Sequence, residues 1–349
     1  MKTIVINGDF YDLNVTGVQR YATEIIRQLD VVYDKSKINI ELLIPSDLKK
    51  IPLLKNIKIV KYKKKKRLLW QQIHLMNYCK KKKAYCLCLC SNAPFFYSKN
   101  TIEVVHDAAT IVHPEFYSKK YIIMNKFLLW SRINKFKKII TVSQFSKNEI
   151  AKYCKINKET IVVAPNAWQH MNNICEESVF DKYPQINKEN YYYTLSSLSP
   201  NKNFKWILNV AKNNPKSQFV ISGMKIDLFS DEQIDKKPSN VFFTGYLSDG
   251  EMKTLLHNAR AFLFPTLYEG FGIPPLEALT LKRKIVVSDT ECMHEIYEDS
   301  AIYINPYKYD YNIKDLLKKN LNAENVLNKY SWFKSAQIIY EELLLLDEV

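Results

Sequence analysis

Two glutamates that flank a glycine-bearing turn are the residues of this sequence best suited to chemistry. Glu269 and Glu277 lie eight positions apart in the segment Tyr-Glu-Gly-Phe-Gly-Ile-Pro-Pro-Leu-Glu-Ala-Leu, residues 268–279. The apolar run Ala261–Phe264 before the turn is typical of a buried parallel strand, and the two prolines after it are typical of the first positions of a helix. We therefore expect Glu269 in the loop and Glu277 in the first helical turn.

A ligand for this turn would carry both negative charge and hydroxyl groups. A helix N-terminus presents unpaired N–H groups and the positive end of the helix dipole, which favour an anion. A nucleotide sugar fits, because its diphosphate would meet the helix N-terminus and its diols would donate to the two carboxylates.

Two other interpretations of the glutamate pair stay open. One is a general acid/base pair, which requires a carboxyl separation of about 5 or 9 Å that sequence spacing does not define. The other is an acid at position 277 that only favours the helix dipole.

The wider segment Pro-Thr-Leu-Tyr-Glu-Gly-Phe-Gly-Ile-Pro-Pro-Leu-Glu-Ala, residues 265–278, resembles the Glu-x7-Glu element of the retaining glycosyltransferases of family 4. Other stretches agree with that family in the same order, so the resemblance extends over nearly the whole chain. It implies the α/β fold called GT-B, in which two Rossmann-like parallel-sheet domains face each other across a cleft and a C-terminal helix crosses back to the first domain. It also implies transfer of a sugar with retention at the anomeric carbon.

The resemblance assigns roles to residues of the turn. Glu277 matches the family carboxylate that binds the ribose hydroxyls of the donor. Glu269 matches the carboxylate near the donor sugar, which implies a catalytic position. Backbone N–H groups that contact the donor would come from Phe271, Gly272 and Ile273.

A histidine and an aspartate follow another predicted strand. His106 and Asp107 come directly after residues 102–105, so both should lie at the carboxyl edge of a parallel sheet, where ligands bind in open α/β folds. The family has a histidine here that contacts the donor sugar near the reacting centre, and the resemblance implies this catalytic role for His106. An isolated histidine is often structural instead. Asp107 would belong to the acceptor or phosphate loop, or would only cap the following turn.

A lysine lies at a further predicted strand-to-helix junction. In Ser-Ser-Leu-Ser-Pro-Asn-Lys-Asn, residues 196–203, Lys202 is placed to pair with a diphosphate together with the N-terminus of the next helix. The family has this lysine, and it often has an arginine where this chain has Ser196 or Ser197. Because that arginine is missing, Ser197 or Lys205 would take its place at the donor. The alternative is a surface lysine in a turn.

The chain has only seven glycines, so each is a candidate for a position where the backbone turns sharply or approaches a ligand. Gly223 follows the predicted strand Gln218–Ser222 and should lie near the nucleotide. Gly17 lies in the loop after the first strand and would let the backbone approach a phosphate or the acceptor. A helix over residues 18–29 follows, on which Arg20 either pairs with an anion or lies on the helix surface.

Short apolar strands alternate with helical stretches along the chain, which is the pattern of doubly wound parallel sheets. The length of 349 residues predicts two domains. We predict an N-terminal acceptor-binding domain over 1–167, a linker over 168–190, a C-terminal nucleotide-sugar-binding domain over 191–329 and a helix over 330–349 that returns to the first domain. The expected strands are 3–6, 40–44, 85–90, 102–105, 138–142 and 161–166, then 191–196, Gln218–Ser222, 241–244, Ala261–Phe264 and Lys284–Ser288, with helices Phe204–Asn213 and Asp249–Asn258 between them.

Positive charge is concentrated in one part of this basic chain, whose formal net charge is +15 at pH 7. Between Lys55 and Lys83, basic residues cluster on both sides of an amphipathic stretch over 67–79, and no acidic residue interrupts them. The cluster indicates a surface that docks on anionic lipid, where each basic residue contributes about 1 kcal/mol. A solvated lysine-rich face is the alternative. Nucleic acid is not expected as a partner, because the cluster lacks a recognisable nucleic-acid-binding motif.

We expect no cofactor, no metal ion and no membrane span. The sequence lacks an Asp-x-Asp tripeptide that would chelate a metal to a diphosphate, so basic side chains and helix dipoles would neutralise the leaving group instead. Cys86, Cys88 and Cys90 alternate with leucines as in a strand, and the odd total of seven cysteines fits a reducing compartment. Apolar runs are too short for a signal peptide or a span. We therefore expect a cytoplasmic protein, peripheral at the inner face of the cytoplasmic membrane.

The resemblance to family 4 implies a transferase that moves a hexose from a nucleotide sugar to a hydroxyl of a lipid-linked glycan in bacterial surface polysaccharide biosynthesis, such as O-antigen or capsule. Residues 16–21 and 105–107 resemble mannosyltransferases, which favours GDP-mannose as the donor. UDP-hexose, UDP-GlcNAc and dTDP-rhamnose are the alternative donors. Two other functions stay open. A nucleotide-sugar epimerase on the same scaffold would need additional acid/base residues, and a non-catalytic basic binding protein would have no use for the turn between the two glutamates.

Overall fold

The computed structural model describes residues 1–64, 67–188, 190–195, 199–223, 237–319 and 321–347. The chain divides into two compact units. The first unit consists of Met1–Asn166 together with Ser331–Val349, and the second consists of Ala167–Tyr330.

The described part of the first unit contains a seven-stranded parallel sheet. Its strands are β1 (Thr3–Asn7), β2 (Asn39–Ile44), β3 (Lys58–Lys61), β4 (Tyr85–Cys88), β5 (Thr101–Val104), β6 (Lys138–Thr141) and β7 (Ile161–Val163). Its helices are α1 (Gly17–Val32), α2 (Arg67–Leu69), α3 (Met76–Lys82), α4 (Ala109–Val112), α5 (Lys119–Leu128) and α6 (Gln144–Cys154), and a π-helical segment, Trp70–Leu75, joins α2 to α3. The spatial order is β3-β2-β1-β4-β5-β6-β7, so the winding reverses between β1 and β4.

The apolar runs of the sequence form the centre of this sheet. Ile4, Val5 and Ile6 of β1 are fully buried, as expected for a parallel strand that helices cover on both faces. β3 forms one edge, and its sequence Lys-Ile-Val-Lys explains why the sequence analysis did not predict it. Lysines are disfavoured inside a sheet but common on edge strands, where they discourage pairing with other chains.

The C-terminal helix, α13 (Trp332–Leu344), belongs to the first unit, which confirms the predicted return. Its buried side chains Trp332, Ala336, Ile339 and Leu343 recur at helical spacing. The Trp332 ring packs edge-on against Tyr21 of α1, with 5.9 Å between the ring centroids. Hydrogen bonds fix both ends, since the Ser335 hydroxyl donates to the Pro165 carbonyl (2.6 Å) and the Lys2 ammonium donates to the Leu344 carbonyl (2.7 Å).

The described part of the second unit contains a six-stranded parallel sheet. Its strands are β8 (Tyr191–Leu195), β9 (Gln218–Ser222), β10 (Val241–Gly245), β11 (Ala261–Phe264), β12 (Lys284–Ser288) and β13 (Ile302–Ile304). Its helices are α7 (Phe204–Asn213), α8 (Asp249–Asn258), α9 (Ile273–Thr280), α10 (Glu291–Tyr297), α11 (Ile313–Leu316) and α12 (Glu324–Lys329). The order β10-β9-β8-β11-β12-β13 reverses between β8 and β11. The predicted α/β class with two Rossmann-like parallel sheets is confirmed.

Residues 168–190, which the sequence analysis treats as a linker, are part of the second unit in the structure. They begin with a 3₁₀ helix, Gln169–Asn173, and Met171 is buried. The Lys253 ammonium donates to the carbonyls of Met171 (2.8 Å) and Ile174 (2.7 Å), and the Trp168 indole N–H donates to the Leu327 carbonyl (2.8 Å). Hydrogen bonds to irregular backbone, rather than an apolar periodicity, hold this segment in place.

Candidate functional site

The loops that follow β8 and β11 meet where the strand order of the second unit reverses. The loop after β8 contains the 3₁₀ helix Pro200–Lys202. The Leu267 N–H donates to the Asn201 carbonyl (2.7 Å), and the Asn201 side-chain amide donates to the Tyr268 carbonyl (3.3 Å). Open parallel sheets bind ligands at this kind of switch point, outside the carboxyl ends of the strands.

Lys202 and Glu269, which are 67 positions apart in sequence, form an ion pair at this junction. The distance from Lys202 Nζ to Glu269 Oε1 is 2.5 Å, and the ammonium lies 5.5 Å from the centroid of the Phe264 ring. Asn203, the next residue, has the left-handed conformation (φ 50°, ψ 45°), which asparagine tolerates better than most residues. Its side-chain amide donates to the Pro306 carbonyl (2.8 Å), so the backbone that carries Lys202 is held from both sides.

The turn before α9 requires glycine at position 272. Gly272 has φ +84°, and a Cβ atom there would lie 3.0 Å from the Phe264 ring and 3.1 Å from the Met293 methyl group. Phe271 and Gly272 turn their carbonyls toward α10, where they accept hydrogen bonds from the Cys292 thiol (3.9 Å) and the Tyr297 hydroxyl. Ile273 is the first residue of α9, and the first N–H groups of a helix have no partner within the helix.

Glu277 is the fifth residue of α9, so its expected place in the first helical turn is wrong. The helix begins at Ile273 rather than at the prolines, because Gly272 acts as its N-cap residue. The interpretation of Glu277 as an acid that only favours the dipole therefore loses its basis, since the dipole effect is confined to the first turn. Glu277 instead directs its carboxylate toward a histidine, and its side chain is 20% exposed.

His170 is a residue of this site that the sequence analysis missed. Its Nε2 lies 2.8 Å from Glu277 Oε1, and its side chain is only 2% exposed. Because a carboxylate only accepts hydrogen bonds, Nε2 carries a proton in this contact. The two residues are 107 positions apart, and the segment around His170 has no motif that points to a partner.

Two further residues predicted at the donor follow neighbouring strands. Gly223 comes directly after β9, has φ +90°, and donates its N–H to the Gly245 carbonyl at 2.8 Å. β9 pairs with β8, so Gly223 lies at the same sheet edge as the loop that carries Lys202. Ser197, the proposed replacement for the missing arginine, lies outside the described residues, as does Ser196.

His106 lies in the first unit, two residues after β5, and is partly buried. Its Nε2 is 2.9 Å from the Leu89 carbonyl oxygen, which only accepts, so Nε2 is protonated and Nδ1 carries the lone pair. Burial lowers the pKa of His106 to about 4, and the bond to Leu89 offsets this only in part. His106 is therefore neutral near pH 7, and Nδ1 is able to accept a hydrogen bond from a hydroxyl group.

The remaining predicted residues of the first unit lie near His106 in sequence or in space. Asp107 accepts a hydrogen bond from the Ala109 N–H (2.8 Å), which is the capping role that the sequence analysis left open. Gly17 is the first residue of α1, and Arg20 follows one helical turn into it. Tyr21, next to Arg20, packs its ring edge-on against the His106 imidazole, with 5.1 Å between the ring centroids. The start of α1 and the loop after β5 thus form one polar edge of the first sheet.

The described parts of the chain contain no group of three or more His, Cys, Asp or Glu side chains able to hold a metal ion. Cys86 and Cys88 are both fully buried, with 3.6 Å between their sulfur atoms. Burial raises the pKa of the Cys88 thiol to about 11, so it stays protonated. A helix with both the length and the hydropathy of a membrane span is absent from the described residues.

Comparison with known sequences identifies one family and several relatives that this chain resembles. Residues 176–331 match the family described as Glycosyl transferases group 1. The O-antigen chain mannosyltransferase RfbU of Salmonella typhimurium is 29% identical over 213 residues, which cover 60% of this chain and 57% of RfbU. The O-antigen chain mannosyltransferase B of Escherichia coli is 24% identical over 237 residues, which cover 63% of this chain and 62% of that protein. The matches thus span less than two thirds of the length of these relatives.

A solved structure shares the fold over the full length of the chain. HepE of Anabaena, crystallised in complex with UDP-glucose, superimposes with a TM-score of 0.69, and the match covers 99% of this chain and 100% of HepE. Sequence identity is 15%, so this similarity concerns the fold. The chain therefore has the GT-B fold, and its residues 176–331 match the glycosyl transferases group 1 family.

Proposed function

We propose that this protein is a retaining hexosyltransferase of family 4, which transfers a sugar from a nucleotide sugar to a hydroxyl of a lipid-linked glycan in O-antigen or capsule biosynthesis. The observation that carries the proposal is the cluster at the switch point of the second unit. There the Lys202–Glu269 ion pair, the Gly272 turn and the His170–Glu277 pair combine one cation, a helix N-terminus and two carboxylates. A diphosphate linked to two sugars is complementary to this combination.

The donor would bind by exchanging partners within the cluster. Its diphosphate would take the Lys202 ammonium from Glu269 and meet the N–H groups of Phe271, Gly272 and Ile273, while the ribose hydroxyls would donate to Glu277. Glu269, released from Lys202, would then face the hydroxyls of the donor sugar. Lys202 and the α9 dipole would stabilise the charge that develops on the leaving diphosphate, so we propose catalysis without a metal ion.

Residues of the first unit would act on the sugar and the acceptor. Neutral His106 would accept a hydrogen bond from a donor-sugar hydroxyl at Nδ1, and the edge formed by Gly17, Arg20 and Asp107 would bind the acceptor. We propose a same-face displacement. The bond from the anomeric carbon to the leaving oxygen breaks, the acceptor oxygen bonds to that carbon on the same face, and a phosphate oxygen takes the acceptor proton.

The relatives favour mannose as the sugar, because two of them are named O-antigen chain mannosyltransferases. GDP-mannose is therefore our first donor. The UDP-glucose bound to HepE keeps UDP-hexoses as the alternative.

The basic region between Lys55 and Lys83 would hold the protein at the inner face of the cytoplasmic membrane, where a lipid-linked acceptor would be found.

A donor panel tests the proposal. GDP-mannose, UDP-glucose, UDP-GlcNAc and dTDP-rhamnose are each added to the full chain in a thermal-shift assay, and turnover of the stabilising donor is followed by NMR with excess EDTA. We expect one donor to raise the melting temperature and the product to keep the anomeric configuration. Stabilisation by none of the four, or activity that EDTA abolishes, would contradict the proposal, and sugar release without any acceptor would indicate the epimerase instead.

A further inference from the structure

Helix α5 (Lys119–Leu128) is apolar in composition and yet buries none of its side chains. Its sequence, Lys-Lys-Tyr-Ile-Ile-Met-Asn-Lys-Phe-Leu, contains six large apolar or aromatic residues among ten. Ile123 is 69% exposed and Phe127 is 59% exposed, and Met124 between them is also exposed. Helices of soluble domains bury their apolar stripe, so an exposed cluster of this size indicates a surface that meets another apolar phase.

The exposed side chains of α5 continue onto two neighbouring elements of the first unit. Phe127 stacks on Phe95 with 4.7 Å between ring centroids, and Phe95 contacts the exposed ring of Phe96. The Phe95 N–H donates to the Gln72 side-chain oxygen (2.5 Å), so the π-helical segment Trp70–Leu75 lies beside them. We define the apolar face by the exposed members of these elements and of the adjoining helix α2: Leu68, Leu69, Ile73, Phe96, Ile123, Met124 and Phe127.

Positive charge surrounds the apolar face. Lys119, Lys120, Lys126 and Lys135 are exposed, and residues 116–138 include no acidic residue. On the other side, Lys63 and Lys64 precede the helical segment, and Lys80–Lys83 end it, all of them exposed. Surfaces that bind other proteins contain less lysine than the rest of the protein surface. An apolar centre with a lysine border is instead the composition of segments that lie in the interface of an anionic bilayer.

We propose that the apolar face inserts into the headgroup region of a bilayer that contains anionic phospholipid, with the surrounding lysines on the lipid phosphates. The partner of the apolar face is therefore the lipid surface. The idea that this binding brings the enzyme to a lipid-linked acceptor rests on the proposed function, whereas the binding to lipid does not. Purely electrostatic docking by the region between Lys55 and Lys83 would vanish at high salt, whereas an inserted apolar face retains part of its affinity.

Vesicle sedimentation tests this inference. The full chain is mixed with vesicles of equal parts phosphatidylglycerol and phosphatidylcholine at low and high salt, and compared with the double variant Ile123→Ser with Phe127→Ser. The control is Val31→Ser with Tyr307→Ser, two side chains with matching exposure (64% and 71%) outside the apolar face. We expect the α5 variant to bind about tenfold more weakly or worse at both salt concentrations, and the control to stay within about twofold of the wild type.

Equal vesicle binding by the α5 variant and the wild type would overturn the inference. So would a loss of self-association, measured by light scattering, without a change in vesicle binding, because the face would then join two copies of the chain. Both variants should keep the wild-type melting temperature and the same stabilisation by donor, since the substituted side chains are exposed. Failure of every donor in the thermal-shift panel would contradict the proposed function alone, and the vesicle result would still stand.

Discussion

The contact between His170 and Glu277 offers a quantitative test of the donor site. His170→Ala removes the N–H that holds Glu277 Oε1 at 2.8 Å, while Glu277 and helix α9 keep their sequence. If Glu277 binds the ribose, losing this support should weaken donor binding without changing the chemical step. His170→Gln restores a side-chain N–H donor and should recover part of the affinity.

The magnitude follows from the geometry. A hydrogen bond to a charged group contributes about 1.5–3 kcal/mol, but Glu277 is 20% exposed, so water replaces part of it. A carboxylate freed from His170 must also be reordered when the donor binds, which costs up to about 1.5 kcal/mol. We expect a net loss of about 1–2 kcal/mol, or a KM for the donor that is about 5 to 30 times higher. Glu277→Gln removes the charge that faces the ribose and should raise KM about 10- to 150-fold.

The assay is initial rate against donor concentration at saturating acceptor, with the donor Kd from calorimetry as a second readout. The kcat of His170→Ala should stay within about threefold of the wild type, because contacts to the ribose are equally strong in the ground state and the transition state. In the double variant, His170→Ala should add little to Glu277→Gln, since both act through one carboxylate. Fully additive effects, or a loss in kcat with an unchanged KM, would refute this reasoning.

Three further predictions concern single residues. Lys202→Met should lower kcat/KM about 100- to 1000-fold, which is the usual effect of removing one donor that stabilises charge in a transition state. Lys202→Arg keeps the positive charge and should retain more activity. Equal losses in both variants would contradict a role for the charge of Lys202. Gly272→Ala should lower the free energy of unfolding, measured in urea, by about 1–3 kcal/mol, because the φ of Gly272 is +84°. Gly17→Ala, at the first position of α1, is the control and should not lower it. Similar urea midpoints for the two variants would count against strain in the turn at Gly272. Burial lowers the pKa of His106 to about 4 from about 6.5, so its contribution to stability is complete above about pH 6.5 and is lost as the pH falls toward 4. The loss is at most about 3 kcal/mol. His106→Gln should flatten this part of the curve of stability against pH, and an unchanged curve would argue against the lowered pKa.

Local patterns were sufficient to predict much of the fold. The helices Phe204–Asn213 and Asp249–Asn258 have the predicted bounds, because an apolar stripe marks the first and a capping box of Ser248 and Glu251 marks the start of the second. The strand Ala261–Phe264 and the turn after it were also recognisable, since a buried strand, scarce glycines and paired prolines each leave a signal in sequence. The ion pair between Lys202 and Glu269 agrees with two separate motifs that were both assigned to the donor.

Features that depend on distant partners could not be predicted in the same way. His170 pairs with a residue 107 positions away, and only the packing of residues 168–190 on the second unit brings the two together. The edge strand Lys58–Lys61 was hidden by its lysines, and helix α9 begins one residue before the prolines because Gly272 adopts a positive φ. The apolar side chains of α5 have an ordinary helical sequence pattern, and only their exposure in the folded unit distinguishes them from a core helix.

We propose that the two glutamates and Lys202 form the binding site of a nucleotide sugar. The most direct measurement is a crystal structure with the stabilising donor bound. We predict that a Glu277 carboxylate oxygen lies within about 2.6–3.0 Å of a ribose hydroxyl, with the diphosphate between Lys202 and the first residues of α9. A donor bound elsewhere, or a Lys202–Glu269 ion pair that persists unchanged beside the diphosphate, would contradict the account.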